Sequence, residues 1–174
     1  MRLAAGLLLA VLAMSASGQA HVHGEAMLEI VIEPGKLSLR LETPQYNLLG
    51  HERAPRKEAE RKAAAAMRQR LLAAAGGFEL PAERGCKLAS AEVEAPALQW
   101  PVAGKAAAMA GHADVVVSYL FDCQNTAGLQ SLAVAGLFDA FPGLQRIRAQ
   151  VAASGSAHQA SVKRPARRLA WGKP

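Results

Sequence analysis

Two short stretches carry the side chains best suited to metal chemistry. The first is Ala20-His21-Val22-His23-Gly24-Glu25, which holds two of the five histidines. The second is His112-Ala113-Asp114. On an extended strand, residues i and i+2 face the same way, about 6.8 Å apart. Such spacing aligns His21, His23 and Glu25 along one edge and repeats the geometry at His112 and Asp114. Imidazoles with a carboxylate suit Zn²⁺. If the N-terminal strand lies near the start of the strand at 112–123, four ligands converge. The plain alternative is a solvated chain end whose histidines are incidental. A second metal reading depends on His21 being the first residue of the mature chain. The free amine, two amides and the histidine at the third position would then wrap Cu²⁺ or Ni²⁺ in a square of nitrogens.

The first stretch follows what reads as a secretion signal over residues 1–20. Arg2 starts it, an apolar run follows to Met14, and small residues lead to Ala20. The apolar run is short for a membrane span. Removing 20 of 174 residues leaves 154, one ordinary domain over 21–174. The whole chain carries a net charge of +6, and Arg2 is the only charge lost with the signal. Basic residues crowd the C-terminus at Lys163, Arg164, Arg167, Arg168 and Lys173. This reads as a solvated end, or as a tail for an anionic partner. Aromatic residues make up only 5% of the chain, which argues against a stacking platform for nucleic acid.

The two cysteines, Cys86 and Cys123, form an even count in an exported domain and favour one disulfide over a thiolate metal pair. Closing such a loop stabilises a fold by about 4 kcal/mol in the chain-entropy account.

The positioning elements follow from periodicity. Residues 25–43 predict a β-hairpin, with Leu28, Ile30 and Ile32 on one face, a turn at Pro34-Gly35, and Leu37, Leu39 and Leu41 on one face of the return strand. Residues 43–52 predict a loop that tucks Tyr46, Leu48 and Leu49 under the sheet edge, with His51 as a loop histidine. Residues 55–75 predict the long helix, with Ala59, Ala63, Met67, Leu71 and Ala74 facing the sheet and a Glu58–Lys62 pair outside. Strands are predicted over 86–94 and 112–123, joined by a loop over 95–111. Shorter strands follow at 129–134, 144–152, 157–163 and 168–171, with a helical turn at 136–141. The fold class is α+β: a largely antiparallel sheet, one long helix packed on one face, and one disulfide.

Several segments occur in an order that resembles one family. They are His21-Val22-His23-Gly24, residues 46–55, Gly85-Cys86, His112-Ala113-Asp114, residues 119–123 and residues 137–144. The family is the zinc-regulated periplasmic proteins, ZrgA-like, long catalogued as a domain of unknown function. The resemblance implies a periplasmic zinc-binding protein of a Gram-negative bacterium that assists an ABC-type zinc transporter or its binding protein. Carried over by position, the metal ligands are His21, His23, His112 and Asp114. Such proteins often carry a run of histidines and acids in the middle loop. Residues 95–111 have neither, so few metal sites are expected.

An enzyme is not expected. Ser154, Ser156 and His158 lie close in sequence, but their surroundings match no nucleophile elbow. No catalytic carboxylate pair stands out.

Overall fold

The protein is described by a computed structural model that covers residues 22–73, 77–100, 113–153 and 155–172. The expected signal segment lies outside these residues, as do His21, His112, Ser154 and Lys173.

The alternating residues of the N-terminal stretch form the predicted hairpin. Strand β1 (Glu25–Glu33) turns at Pro34-Gly35 into β2 (Lys36–Pro44). Gly35 takes φ +75°, a conformation glycine adopts without steric cost. Ala26, Leu28, Ile30 and Ile32 are buried on one side, and Leu37, Leu39 and Leu41 join them. Burying each large aliphatic side chain contributes roughly 1.5–3 kcal/mol. The charged residues Glu29, Arg40 and Glu42 alternate to the other face, as period 2 requires.

Four more strands extend this hairpin into a six-stranded sheet. They are β3 (Lys87–Glu94), β4 (Asp114–Asp122), β6 (Arg146–Ala153) and β7 (Ser156–Lys163), and the sheet order is β3-β4-β2-β1-β6-β7. All neighbours pair antiparallel except β1 and β6, which run parallel. A separate small pair joins β5 (Ser131–Ala133) to β8 (Arg168–Ala170). The sheet therefore matches the expected class, with the β1–β6 pair as its parallel exception.

Among the described residues, three α-helices connect these strands: α1 (Gln45–Leu49), α2 (Glu58–Leu72) and α3 (Ala135–Ala140). Helix α2 is the predicted long helix. Its buried stripe is Ala64, Met67 and Leu71, while Ala59 and Ala63 are exposed. In an alanine-rich helix several stripes share the same period, and the larger Met67 and Leu71 side chains settle which one meets the core. Leu71 also fixes the helix through its backbone, because the Tyr119 hydroxyl of β4 donates to the Leu71 carbonyl at 2.8 Å. Burial pushes the Tyr119 hydroxyl well above its ordinary pKa, so it stays protonated and donating. Glu58 pairs with Arg61 at 3.0 Å, one residue earlier on the helix surface than the expected Lys62.

Cys86 and Cys123 form the expected disulfide, at the paired ends of β3 and β4. The bond joins two residues 37 apart in sequence.

Three of the basic C-terminal residues bond back to the fold. Arg164 donates through Nε to the Leu144 carbonyl at 2.8 Å and lies 4.8 Å from the Phe138 ring centroid. Arg167 pairs with Asp139, and Arg168 donates to Ser131 Oγ at 3.1 Å. These cations fasten α3 and β5 to the end of the chain.

The start of α2 depends on one carboxylate. Glu60 accepts from the Arg56 amide at 2.7 Å and takes both terminal nitrogens of Arg53, at 2.7 and 2.8 Å. The Arg53 guanidinium, then the Arg56 amide, hold the Glu60 carboxyl well below the usual carboxylate range. A carboxyl lowered in the folded state stabilises the fold above its unfolded pKa of about 4.3, and that contribution fades as pH falls toward the folded value. Urea denaturation across pH should therefore show Glu60→Gln less stable than wild type at pH 7. The gap should shrink below about pH 4, where the unfolded carboxyl protonates. A gap that stays constant down to strongly acid pH would contradict this assignment.

Candidate metal centre

The sheet order separates β1, whose entry follows His23, from β4, whose entry follows His112 in sequence, by one strand. β1 and β4 flank β2, run in the same direction, and both begin beside the end of β2. Pro44, the last residue of β2, pairs with Asp114, the first of β4. Two strand spacings, about 10 Å, thus separate the starts of β1 and β4. Val22 and Asp114 line one open cavity of about 850 Å³ together with Thr43, Pro44 and Glu42.

Helix α1 closes this corner. The sequence led to the expectation of a loop here, because Pro44, Asn47 and Gly50 are turn formers. Instead Pro44 ends β2, one helical turn follows, and Gly50 at φ +75° ends it, its amide donating to the Tyr46 carbonyl at 2.8 Å. Leu48 and Leu49 pack on the core, whereas Tyr46 is 44% exposed rather than tucked under the sheet.

Two amide side chains on α1 hold the corner together. Asn47 is buried and bonds in three directions. Its Oδ1 accepts from the Gly24 amide at 2.6 Å. Its Nδ2 donates to the Glu25 carbonyl at 2.8 Å and to Thr43 Oγ1 at 2.9 Å. Asn47 thereby ties the entry of β1 to the end of β2. Gly143 packs against its backbone, and a Cβ there would stand 2.5 Å from the Asn47 carbonyl oxygen. Gln45 is fully buried. Its backbone amide donates to the Ala113 carbonyl at 2.7 Å, which attaches the entry of β4 to the same helix. Its side-chain Nε2 donates to the carbonyls of His51 at 3.0 Å and Arg53 at 2.9 Å.

His23 sits on the rim of this corner. Its Nε2 lies 2.8 Å from Glu52 Oε1, and its ring stacks on Tyr46 with centroids 4.2 Å apart and planes 11° from parallel. An ionised carboxylate only accepts, so in this contact Nε2 is the donor, and in a neutral ring the lone pair then lies on Nδ1. A neutral imidazole nitrogen is the form that binds zinc.

The expected alignment of His23 with Glu25 does not occur. Val22 to Glu25 is a turn, with the Glu25 amide donating to the Val22 carbonyl at 3.0 Å and Gly24 at φ +85°. The strand begins only at Glu25, so the i,i+2 rule does not apply across Gly24. Glu25 points to the outer face of the sheet. There Arg146 Nη1 and Arg148 Nε each hold one of its oxygens at 2.9 Å. Its lone pairs are committed to those guanidinium groups.

Of the predicted ligands, His23 and Asp114 are described, the one on the rim and the other at the cavity edge. His21 and His112 lie outside the described residues, one residue before Val22 and one before Ala113. Among the described residues, no group of three or more His, Cys, Asp or Glu side chains gathers in metal-binding geometry. His51 serves the structure, with Nδ1 3.1 Å from the Arg53 carbonyl oxygen and 3.3 Å from Gln45 Nε2. Ser156 Oγ donates to the Ala153 carbonyl at 2.7 Å and meets His158 Nε2 at 3.2 Å on the exposed edge of β7. Sequence reasoning missed Glu52, Tyr46, Gln45 and Asn47. Their available signal was the density of polar and aromatic residues in 45–52, within a stretch that otherwise reads as a loop.

A family profile described as "ZrgA family zinc uptake protein" matches residues 20–171. A comparison with curated proteins gave no match.

Asn47→Ala removes three hydrogen bonds and leaves the Gly24 amide and a Glu25 acceptor site without their partner. The expected loss is about 3 kcal/mol, read as a lower urea midpoint with an unchanged m-value. A loss under about 0.5 kcal/mol, the usual range for a surface substitution, would contradict the role given to this amide.

Proposed function

We propose that this chain, which belongs to the ZrgA family of zinc uptake proteins, is an exported zinc-binding accessory protein that supports uptake through an ABC-type zinc transporter. The ion is cargo, and the ligands are His21, His23, His112 and Asp114. The role is binding and delivery rather than catalysis.

The observation that carries this reading is the shared anchorage of two chain entries on α1. Gly24 is bonded to Asn47 and Ala113 to Gln45, two residues apart on one helical turn. His23 adjoins the first anchored residue and His112 the second. His21 follows two residues before His23 along the same entry. Three imidazoles and one carboxylate form a nitrogen and oxygen donor set that suits tetrahedral Zn²⁺. The disulfide fits an oxidising compartment such as the periplasm. No helix among the described residues is long and apolar enough to cross a membrane.

The segment at 95–111 has no histidine and no acidic residue, so the stoichiometry follows from this corner alone. Untagged mature protein should bind one zinc per chain in competition with a chromogenic chelator. Replacing His21 and His23 together with alanine should abolish tight binding. Unchanged affinity in that double variant would overturn the assignment. Preference for copper or nickel over zinc would favour a site built on the N-terminal amine instead.

A further inference from the structure

We infer that Glu52 is a positioning residue for zinc: it holds the proton on His23 Nε2 and so presents Nδ1 to the metal. The inference rests on the zinc-binding reading above and adds which nitrogen of His23 binds and what selects it.

Two constraints act on the His23 ring, and they do different things. Stacking on Tyr46 at 4.2 Å and 11° sets the plane of the ring. A half-turn about the Cβ–Cγ bond preserves that plane while exchanging the two edges of the ring, so stacking alone cannot choose between Nδ1 and Nε2. The carboxylate makes the choice. With Glu52 Oε1 at 2.8 Å from Nε2, the neutral tautomer with the proton on Nε2 gains a charge-assisted hydrogen bond that the other tautomer lacks. A carboxylate on the far nitrogen also makes the near one a more basic metal ligand.

Glu52 is itself held in place. It lies between His51 and Arg53, whose carbonyls both accept from the buried Gln45 side chain. Arg53 is fixed in turn by its two-point contact with Glu60 at the start of α2. The backbone carrying the carboxylate is therefore clamped on both sides, by the same helix that anchors Gly24 and Ala113. His23 and Glu52 are both about half exposed, so their contact contributes little to stability. That exposure makes a structural explanation of the contact weak and a binding role separable from folding.

The test compares zinc affinity by chelator competition in wild type, Glu52→Ala and Glu52→Gln. Long-range proton–nitrogen spectra of the zinc-loaded proteins identify the metal-bound nitrogen of His23. Glu52→Ala should bind zinc about 10–100-fold more weakly, with an unchanged thermal midpoint. Glu52→Gln should recover part of the loss, because its amide oxygen still accepts from Nε2. Zinc-loaded wild type should show the metal on Nδ1 and the proton on Nε2. Zinc on Nε2 in wild type, or wild-type affinity in Glu52→Ala, would overturn the inference and leave the zinc reading intact. Equal losses in Glu52→Gln and Glu52→Ala would mean that Glu52 ligates the metal directly, which also overturns it. Wild type without zinc affinity would overturn the zinc reading itself.

Discussion

The buried amide of Asn47 is the contact on which the candidate site depends. It is fully bonded at a place where three chain segments meet: the turn into β1, the last residues of β2, and the loop at Gly143. A buried amide is stabilising only when its partners are all present, since each lost partner leaves an unsatisfied polar group. Asn47 therefore behaves as a lock. It admits one arrangement of the N-terminal entry, and that arrangement turns His23 toward Tyr46 and Glu52 while sending Glu25 toward Arg146 and Arg148. Gln45, two residues earlier, does the same for the entry of β4 and for the backbone around Glu52. One short helix thus converts two strand starts, separated by a whole strand, into parts of a single corner.

The rest of the fold supplies rigidity behind this corner. The hairpin of β1 and β2 buries a continuous apolar face, α2 buries Met67 and Leu71, and the Tyr119 hydroxyl of β4 ties the Leu71 carbonyl of α2 to the sheet. The disulfide pins β3 to β4 at the end of the sheet remote from Asp114. The arginines near the C-terminus hold α3 and β5 in place. Each of these features constrains backbone rather than side chains at the rim. His23 and Tyr46 remain accessible as a result.

The strands were legible because period-2 alternation survives in the sequence wherever one face is buried. Leu37, Leu39 and Leu41 and the Pro34-Gly35 turn marked the hairpin, and the cysteine pair marked the crosslink. What escaped the sequence was non-local. Nothing in the composition of β1 or β6 announces that they pair in parallel. The alignment of His23 with Glu25 failed because Gly24, at φ +85°, puts a turn between them and breaks the i,i+2 relation. Helix α1 was misread because Asn47 resembles a turn residue until its buried partners are known. Glu52 carried no signal of its own, and Arg164 and Arg167 read as part of a solvated end. The partners of these three, His23, Leu144 and Asp139, lie twenty or more residues away in sequence.

On the proposed function, the β1 entry and the β4 entry serve one zinc site through α1. Backbone amide shifts during a zinc titration test this most directly. Gly24, Glu52 and Ala113 should shift together, with a common midpoint, and saturate at one equivalent. Shifts confined to residues 22–24, with Ala113 and Asp114 unmoved at saturation, would contradict the account and reduce the site to the N-terminal histidines alone.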